Sequence, residues 1–219
     1  DYFTMLGSCG LDCLGDIIID PYAYQLERSY EPITVQDLTA MAGKPRSIDA
    51  SIELARLSLA GTQNKCGLFH NPEAPLSDGW YQPVGGAPSN YIVKFAREDL
   101  QDLMIVEHLS LTCAAACGVP SAKTALLNPA RPIICVERYD RLGSTSEVIN
   151  GQMVPLRQHQ EDITQAFGIM PEAKYRQLEP SSVTILADFF RNSSANPARG
   201  VTNLTRLLLF NYLIGNCDN

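Results

Sequence analysis

Apolar and polar positions divide the chain into a first part rich in short strands and a second part rich in helices. Short apolar runs bounded by turn residues predict strands at residues 16–19, 66–69, 91–96 and 133–136. The 3.6-residue apolar repeat, with capping and helix-ending residues, predicts helices at residues 34–43, 99–117, 160–167, 183–191 and 204–214. Residues 21–32 and the proline-rich residues 71–90 are predicted to be irregular, and residues 143–153 to form a polar hairpin or loop. The order of elements predicts an α+β fold with two unequal lobes, residues 1–135 and 136–219.

The helix predicted at residues 204–214 is apolar on nearly every face, which is typical of a helix buried on all sides. Gly215 is expected to end this helix. A polar loop with one Asp and two Asn, which includes Asp218, follows at residues 216–219. A rigid helix that presents such side chains suits an acid or a metal ligand. An ordinary helix cap and turn uses the same residue types, so both interpretations stay open.

One charged residue interrupts each of two neighbouring apolar patterns. Lys94 lies inside the strand predicted at residues 91–96, and Glu107 lies on the apolar stripe of the helix predicted at residues 99–117. An unpaired Lys is costly to bury, so the two charges are predicted to pair. The alternative is that Lys94 extends to the edge of the sheet and that Glu107 lies at the margin of the stripe.

The strand predicted at residues 133–136 runs directly into a charged stretch at residues 137–141, which contains Glu137 and Tyr139. An apolar strand that ends in such a stretch often borders a cleft. The alternative is an ordinary strand end whose charges face solvent. The pattern alone is compatible with either arrangement.

Composition narrows the classes of function. The net charge is -7 and the isoelectric point is about 4.9, which argues against sequence-independent binding to a phosphate backbone. No apolar run approaches the roughly 20 residues of a membrane span. Seven cysteines, an odd number in a long chain, favour a reducing compartment, and we expect a cytoplasmic protein. Their spacing does not predict a zinc site, and no residue is assigned as a metal ligand.

Four features in order suit phosphoryl transfer. They are a Gly-containing loop at residues 58–65, the strand Lys94, the helix Glu107 and the polar loop with Asp218. Backbone N–H groups of a Gly loop can hold phosphates, a Lys neutralises them, and an Asp accepts the proton of the attacking hydroxyl. The loop matches neither of the common Gly-rich phosphate-binding patterns, so by itself it is a weak signal.

Five motifs follow one another along the chain: SLAGTQNK at 58–65, YIVK at 91–94, VERYDR at 136–141, QEDITQAFG at 160–168 with KY at 174–175, and FNYLIGNCD at 210–218. Together they resemble the motifs of the HipA-like serine/threonine kinases, the toxins of bacterial toxin–antitoxin systems. The segment GLDCLGD at 10–16 also resembles the family's segment before the kinase core. The resemblance implies a protein-kinase-like fold, with a sheet and a helix in the N-lobe and a mostly helical, here incomplete, C-lobe.

The resemblance implies a nucleotide site. Lys94, held by Glu107, would contact the ATP phosphates, and Glu137 and Tyr139 would lie at the hinge and offer main-chain groups to adenine. Asp218 would be the catalytic Asp. The loop that would cover the phosphates consists of Ala60, Gly61, Thr62, Gln63, Asn64 and Lys65.

Ser58 matches the serine that members of the family autophosphorylate. Added negative charge beside the ATP phosphates is expected to displace the loop. The alternative for Ser58 is an ordinary serine in a turn or at a helix end.

The chain departs from the family pattern after Asp218. The resemblance implies a His next, then a metal-binding Asn, and later a metal-binding Asp, but the sequence stops at Asn219. We therefore expect a kinase fragment, or a kinase-derived chain that is inactive alone, with Mg²⁺ held only by the full-length enzyme.

The resemblance also implies partners. The cofactors would be ATP and Mg²⁺, and the substrate would be a protein such as an aminoacyl-tRNA synthetase. An antitoxin protein would be the partner, and DNA would be contacted only indirectly, through that antitoxin. No membrane partner is expected. Two alternatives stay open: a non-catalytic pseudokinase or protein-interaction module with a kinase-like fold, and a globular α+β protein in which Lys94 and Glu107 form only a structural ion pair.

Overall fold

The computed structural model describes residues 10–19, 27–42, 64–95, 100–128, 131–170 and 182–216. The chain forms two compact units, the first from residues 1–109 and 122–160 and the second from residues 110–121 and 161–219. Strands and helices are both present, so the predicted α+β class is confirmed. The lobe boundary predicted at residue 135 stays a prediction.

The strands that the structure describes all belong to the first unit. They are β1 Ser29–Ile33, β2 Asn64–His70, β3 Trp80–Val84, β4 Tyr91–Phe95, β5 Thr124–Leu127, β6 Ile133–Glu137, β7 Arg141–Ile149 and β8 Gln152–Arg157. Strands β1 to β6 form an antiparallel sheet in the order β1-β3-β2-β4-β6-β5, and β7 and β8 pair as a hairpin. The polar region predicted at residues 143–153 as a hairpin or loop is this hairpin.

One face of the sheet carries the main core of the first unit. Side chains alternate between the two faces of a strand, and those directly opposite on neighbouring strands share a face. The core face carries Cys66, Val93 and Cys135, all fully buried, and Leu38 of helix α1 (Val35–Ala42) and Trp80 join the same cluster. Burial of this apolar surface is the main stabilising contribution to the sheet.

Two helices of the first part of the chain were predicted correctly. Helix α1 begins after Thr34, whose hydroxyl accepts from the Asp37 N–H while the Asp37 carboxylate accepts from the Thr34 N–H. Helix α2 spans Asp102–Ala116, close to the predicted range 99–117. On its predicted core stripe, Met104 and Ala114 are buried, but Leu100 and Leu103 are more than 40% exposed.

Three predictions in the first part of the chain are wrong. Residues 17–19 have no regular structure, and Ile17 and Ile18 are exposed. Strands β1 and β3 lie in regions predicted to be irregular because of their prolines. Both prolines are tolerated: Pro32 lies on the edge strand β1, and Pro83 lies outside the two residue pairs that join β3 to β2.

The second unit is helical in its described part. Helix α3 (Ile163–Ala166) begins with Asp162 in a capping box, α4 spans Ser182–Ser193, and α5 spans Pro197–Ile214. The last helix therefore begins seven residues before the predicted Leu204, because Pro197 occupies the first turn, where a missing N–H is harmless. Gly215 ends it in the left-handed region, with φ 70°, as predicted.

The predicted burial of the last helix is wrong. None of the described side chains of α5 is buried, and Leu209 and Tyr212 are 56% and 81% exposed. Among the described helices α5 packs against α4, so one face is covered and the others remain open to solvent. No helix in the described ranges is both long enough and apolar enough to cross a bilayer.

Candidate functional site

Lys94 and Glu107 form an ion pair in the first unit. The Lys94 Nζ, on β4, lies 2.5 Å from the Glu107 Oε1, on α2, and the two side chains are 21% and 25% exposed. The pair is present because β4 presents Lys94 on the face of the sheet opposite the core, where an uncompensated charge would be costly. The side chains are partly solvated, so both remain accessible to a ligand.

A second lysine lies beside this pair. Lys65 of β2 is directly opposite Lys94 of β4, so both side chains share one face of the sheet. Burial is the main cause that lowers the pKa of Lys65, the charge of Lys94 lowers it further, and Glu107 opposes the change. Two positive groups held close together by the strand register suit a polyanion such as a chain of phosphates.

An apolar stretch continues from the lysines along the same face. Gly67 is opposite Ile92, and Ile92 is opposite Val136 of β6. Lys94 shares this face with Ile92, since alternate residues of a strand point the same way. The sheet therefore presents charged and apolar surface in succession, from the lysines towards the end of β6.

The end of β6 leads into the segment at residues 137–139, which includes Glu137 and Tyr139. The Glu137 N–H donates to the Lys123 carbonyl over 2.8 Å, and the Arg138 N–H donates to the Asn90 carbonyl over 2.9 Å. Among the backbone hydrogen bonds of the described residues, none uses the Tyr139 N–H. The segment is therefore anchored on two sides, and at its exposed end the Tyr139 N–H has no backbone acceptor in the described part of the chain.

Buried charges fix the chain around this segment. Both Arg138 and Arg141 have fully buried side chains, and Asp140 is 3% exposed. Arg138 donates to Asp140 through Nε and Nη2 over 2.9 and 2.7 Å, and Arg141 Nη1 donates to the same carboxylate over 3.0 Å. Burial alone would raise the pKa of Asp140, but the hydrogen bonds and charge of Arg138 outweigh it and lower that pKa.

Asp12 joins this cluster from the start of the chain. Its Oδ1 accepts from Arg141 Nη2 over 2.9 Å, and its Oδ2 accepts from the Ser89 hydroxyl over 2.5 Å. No direct signal in the sequence pointed to the contact between Asp12 and Arg141, because the two residues are 129 positions apart. The surplus of arginines at residues 138, 141 and 157 beside one local aspartate was the available hint that a second carboxylate must come from elsewhere.

Of the two interpretations of the charged stretch at residues 137–141, the solvated one is wrong for Arg138, Asp140 and Arg141, which are buried. Tyr139 is 67% exposed. Glu137 is half-buried, and its carboxylate lies 3.4 Å from the exposed Lys123 ammonium. Because Glu137 is opposite Tyr91, its side chain points to the core face and leaves only main-chain groups for the face of Lys94.

Several predicted site residues lie outside the described residues. They are Ser58, Ala60, Gly61, Thr62, Gln63 and Asp218. Asn64 begins β2, and Lys65 follows it. Within the described residues, no group of three His, Cys, Asp or Glu side chains is arranged to hold a metal ion.

A cavity of about 670 Å³ in the first unit is separate from the ion pair between Lys94 and Glu107. Glu137, Tyr91, Arg141 and Gln152 are among the residues that line it, and neither Lys94 nor Glu107 does. Size alone would favour this cavity as a binding site. The paired, half-buried charges at Lys94 carry more specific chemistry, and we place the candidate site there.

Two curated proteins are similar to this chain in sequence. The chain is 33% identical over 186 residues to the Sinorhizobium fredii protein named "Putative kinase Y4mE", which covers 84% of this chain and 41% of that protein. It is 29% identical over 231 residues to the serine/threonine-protein kinase toxin HipA of Shewanella oneidensis, which covers 99% of this chain and 50% of the toxin. The chain thus spans half or less of the length of these relatives.

A solved structure shares the fold. The match is to a chain in the complex of HipA, HipB and operator DNA from Shewanella oneidensis, with 25% identity and a TM-score of 0.69. It covers 100% of this chain and 52% of the chain in that complex. The family described as the HipA-like C-terminal domain matches residues 57–219, about three quarters of the sequence. The match includes β2, β4, α2 and β6, the elements that carry the candidate site. The chain therefore belongs to the HipA-like C-terminal domain family.

Proposed function

We propose that the chain carries the nucleotide-binding part of a HipA-like protein serine/threonine kinase. The enzyme would transfer the γ-phosphate of ATP to a Ser or Thr hydroxyl of a protein and act as the toxin of a toxin–antitoxin system. The single observation that supports the proposal best is the half-buried ion pair between Lys94 and Glu107, one strand away from Lys65. Phosphoryl transfer depends mainly on positioning and on neutralising phosphate charge, which this arrangement suits.

Lys94 is the proposed phosphate contact. Glu107 fixes its ammonium at one position, and two further N–H bonds of the ammonium are proposed to donate to phosphate oxygens. Lys65 is proposed to add a second positive charge at the base of the phosphate-covering loop, which is residues 60–65. Two lysines and one glutamate leave a net positive charge for the polyphosphate.

Adenine is proposed to lie beside the segment at residues 137–139. The Glu137 carbonyl and the Tyr139 N–H would form the main-chain contacts, and the free Tyr139 N–H supports this assignment. Ile92 and Val136 lie on the face of Lys94, where they provide apolar surface for a flat base. The order along the sheet, from lysines to apolar surface to a free donor, matches the order of phosphates, sugar and base in ATP.

The remaining roles rest on the resemblance alone. Asp218 is proposed as the base that accepts the proton of the attacking hydroxyl, and Ser58 as an autophosphorylation site. Mg²⁺ is proposed for the full-length kinase. The described residues offer no set of ligands for a metal ion, so no step of the reaction is assigned to it.

The partners are also proposals. The solved relative is a complex with HipB and operator DNA. By analogy, an antitoxin protein would bind this chain and would provide its only link to DNA. The substrate would be a protein, with an aminoacyl-tRNA synthetase as the candidate from the family, and the protein would be cytoplasmic.

Titration of the chain with ATP, with thermal unfolding as the readout, tests the proposal. A ligand that binds only the folded state stabilises it by about 2.7 kcal/mol at a hundredfold excess over its dissociation constant. We expect stabilisation by ATP that is lost in Lys94→Ala and in Glu107→Gln. The control Arg191→Ala removes a positive charge from the exposed ion pair with Asp188 on α4, and it should leave the stabilisation by ATP unchanged.

The alternatives predict different results. A pseudokinase or interaction module would show no transfer of phosphate from ATP to a protein Ser or Thr. If Lys94 and Glu107 form only a structural ion pair, ATP will not stabilise the chain, and the two variants will change its stability alone. Absence of any ATP effect in the wild-type chain would refute the proposed function.

A further inference from the structure

We propose that Asp12 is a positioning residue for the adenine-binding segment at residues 137–139, and that residues 10–16 hold this segment in place. The inference rests on the proposed function, because the binding of adenine at residues 137–139 is itself proposed. The observations that support it are separate from those at Lys94. They concern a buried network of charges at the other end of the same face of the sheet.

Asp12 connects both sides of the segment. Its Oδ2 accepts from the Ser89 N–H over 3.1 Å and from the Ser89 hydroxyl over 2.5 Å. The next residue, Asn90, supplies the carbonyl that accepts the Arg138 N–H. The same carboxylate lies 2.9 Å from Arg141 Nη2 and 3.3 Å from Arg138 Nη1. One side chain, only 17% exposed, thus joins the residues just before β4 to the arginines within and after the segment.

The main chain around Asp12 takes part in the same network. Alternate carbonyls of residues 11, 13 and 15 accept from three different arginines. Arg157 Nη2 donates to the first over 3.0 Å, Arg138 Nη2 to the second over 2.9 Å, and Arg141 Nη1 to the third over 2.8 Å. The Gly15 N–H in turn donates to Asp140 over 2.7 Å. Residues 10–16 therefore replace the water that these guanidinium groups would otherwise need.

The charge balance makes Asp12 hard to replace. The network contains three arginines and two aspartates, so it already carries an excess positive charge. Among the described residues, the buried Arg141 Nε has no hydrogen-bond partner, and the buried Arg157 Nη1 has no hydrogen bond and only the 3.3 Å ion contact with Asp12. Loss of the Asp12 charge would leave one carboxylate in the network, that of Asp140, which contacts Arg138 and Arg141 and has no ion pair with Arg157 among the described residues. Like charges repel, so the guanidinium groups that Asp12 joins, those of Arg138 and Arg141 among them, are expected to shift.

Movement of Arg138 would act directly on adenine recognition. Arg138 lies between Glu137 and Tyr139, the two residues proposed to contact the base. Among the residues that the structure describes, none accepts from the Tyr139 N–H through its backbone, so the position of this end of the segment depends on the anchors on either side. Main-chain groups that read the edge of adenine distinguish it from guanine, because guanine has an acceptor where adenine has an amino donor. Phosphate contacts at Lys94 make no such distinction.

The test compares ATP and GTP affinity in Asp12→Asn, Asp12→Glu and the wild-type chain by calorimetric titration. Asp16→Asn is the matched control, because Asp16 lies in the same segment but pairs at the surface with His159, where the side chains are 49% and 56% exposed. We expect Asp12→Asn to weaken ATP binding about tenfold and to lower the ratio of ATP to GTP affinity, as for the loss of about one hydrogen bond. Asp12→Glu should recover part of the ratio, and Asp16→Asn should match the wild type.

Lys94→Ala serves as the second reference, since it should weaken the binding of ATP and the binding of GTP by the same factor. If the wild-type chain binds ATP and folded Asp12→Asn keeps its affinity and its ratio, the inference is overturned while the proposed function stands. Equal loss of ATP and GTP in Asp12→Asn would also overturn it. If the wild-type chain binds neither ATP nor GTP, the proposed function is refuted, and the inference is refuted with it.

A variant that keeps every charge covers the case in which Asp12→Asn does not fold. Ser89→Ala removes the hydroxyl that donates to Asp12 over 2.5 Å and accepts from Arg138 over 2.9 Å. It should lower the ratio of ATP to GTP affinity in the same direction and by a smaller factor. A ratio equal to that of the wild type in folded Ser89→Ala would count against the inference.

Discussion

Replacement of Asp140 by Asn should strongly destabilise the first unit. The carboxylate is 3% exposed and accepts four hydrogen bonds, two from Arg138, one from Arg141 and one from the Gly15 N–H. The variant leaves two fully buried guanidinium groups without their main counter-charge. Loss of one partner of a buried ion pair costs about 3 to 5 kcal/mol, a large part of the roughly 5 to 15 kcal/mol that stabilises a typical protein.

Urea unfolding monitored by the fluorescence of Trp80 measures this change. Trp80 is the single tryptophan of the chain, lies in the core of the first unit and is 1% exposed, so it reports on the unit that contains Asp140. With a slope of about 1 to 3 kcal/mol per molar urea, the midpoint should fall by about 1 M or more. Glu147→Gln is the control, because Glu147 pairs with Arg28 at the surface and should change stability by about 0 to 1 kcal/mol.

The pH dependence gives a second readout of the same carboxylate. Burial alone would raise the pKa of Asp140, but the Arg138 hydrogen bonds and charge lower it below the unfolded value. Its stabilising effect is therefore present above the unfolded pKa and lost as the pH falls through the folded pKa. The difference in the free energy of unfolding between the wild type and Asp140→Asn should therefore become smaller below about pH 4. The reasoning is refuted if the Asp140→Asn midpoint at neutral pH equals that of Glu147→Gln.

Two further predictions use the same unit. Gly67→Ala should destabilise it by about 1 to 3 kcal/mol in the same urea experiment, because the new methyl group would lie 2.7 Å from the Ser89 hydroxyl; an unchanged midpoint would contradict the close approach. Cys66 and Cys135 are fully buried, and burial raises the pKa of the Cys135 thiol. Both thiols should therefore react with iodoacetamide only after unfolding, while the exposed Cys113 reacts in the native chain. Mass spectrometry of peptides measures the labelling, and equal labelling of the three cysteines in the native chain would contradict this prediction.

The ion pair at the candidate site could be predicted from the sequence because its cause is local. A strand is followed at once by a helix, each with one charge on an apolar pattern, and the cost of burying Lys94 alone requires a partner such as Glu107. The alternation of β4 and the helical repeat of α2 then place the two side chains on facing surfaces. The structure contains this pair, and its role in binding a nucleotide stays a prediction.

The network around Asp12 could not be predicted, because its cause is not local. Arg138 and Asp140 resemble an ordinary charged strand end until a segment more than 120 residues away covers them. Patterns of hydrophobicity report which faces are buried within one element, but they do not report which distant segment does the covering. The wrong prediction for α5 has the same origin: its apolar faces suggested burial, and the described neighbours cover one side of it.

The network also sets the order in which the chain can complete its fold during synthesis. Residues 10–16 leave the ribosome well before their partners, because their contacts with Arg138 and Arg157 join positions 125 to 146 apart. At about 5 to 20 residues per second, the ribosome needs roughly 7 to 30 s to supply those partners. During that interval Asp12 has no counter-charge from the arginines, and the first unit waits in an incomplete form. A nascent chain arrested before Arg157 should therefore be more sensitive to protease near its start than one released after it.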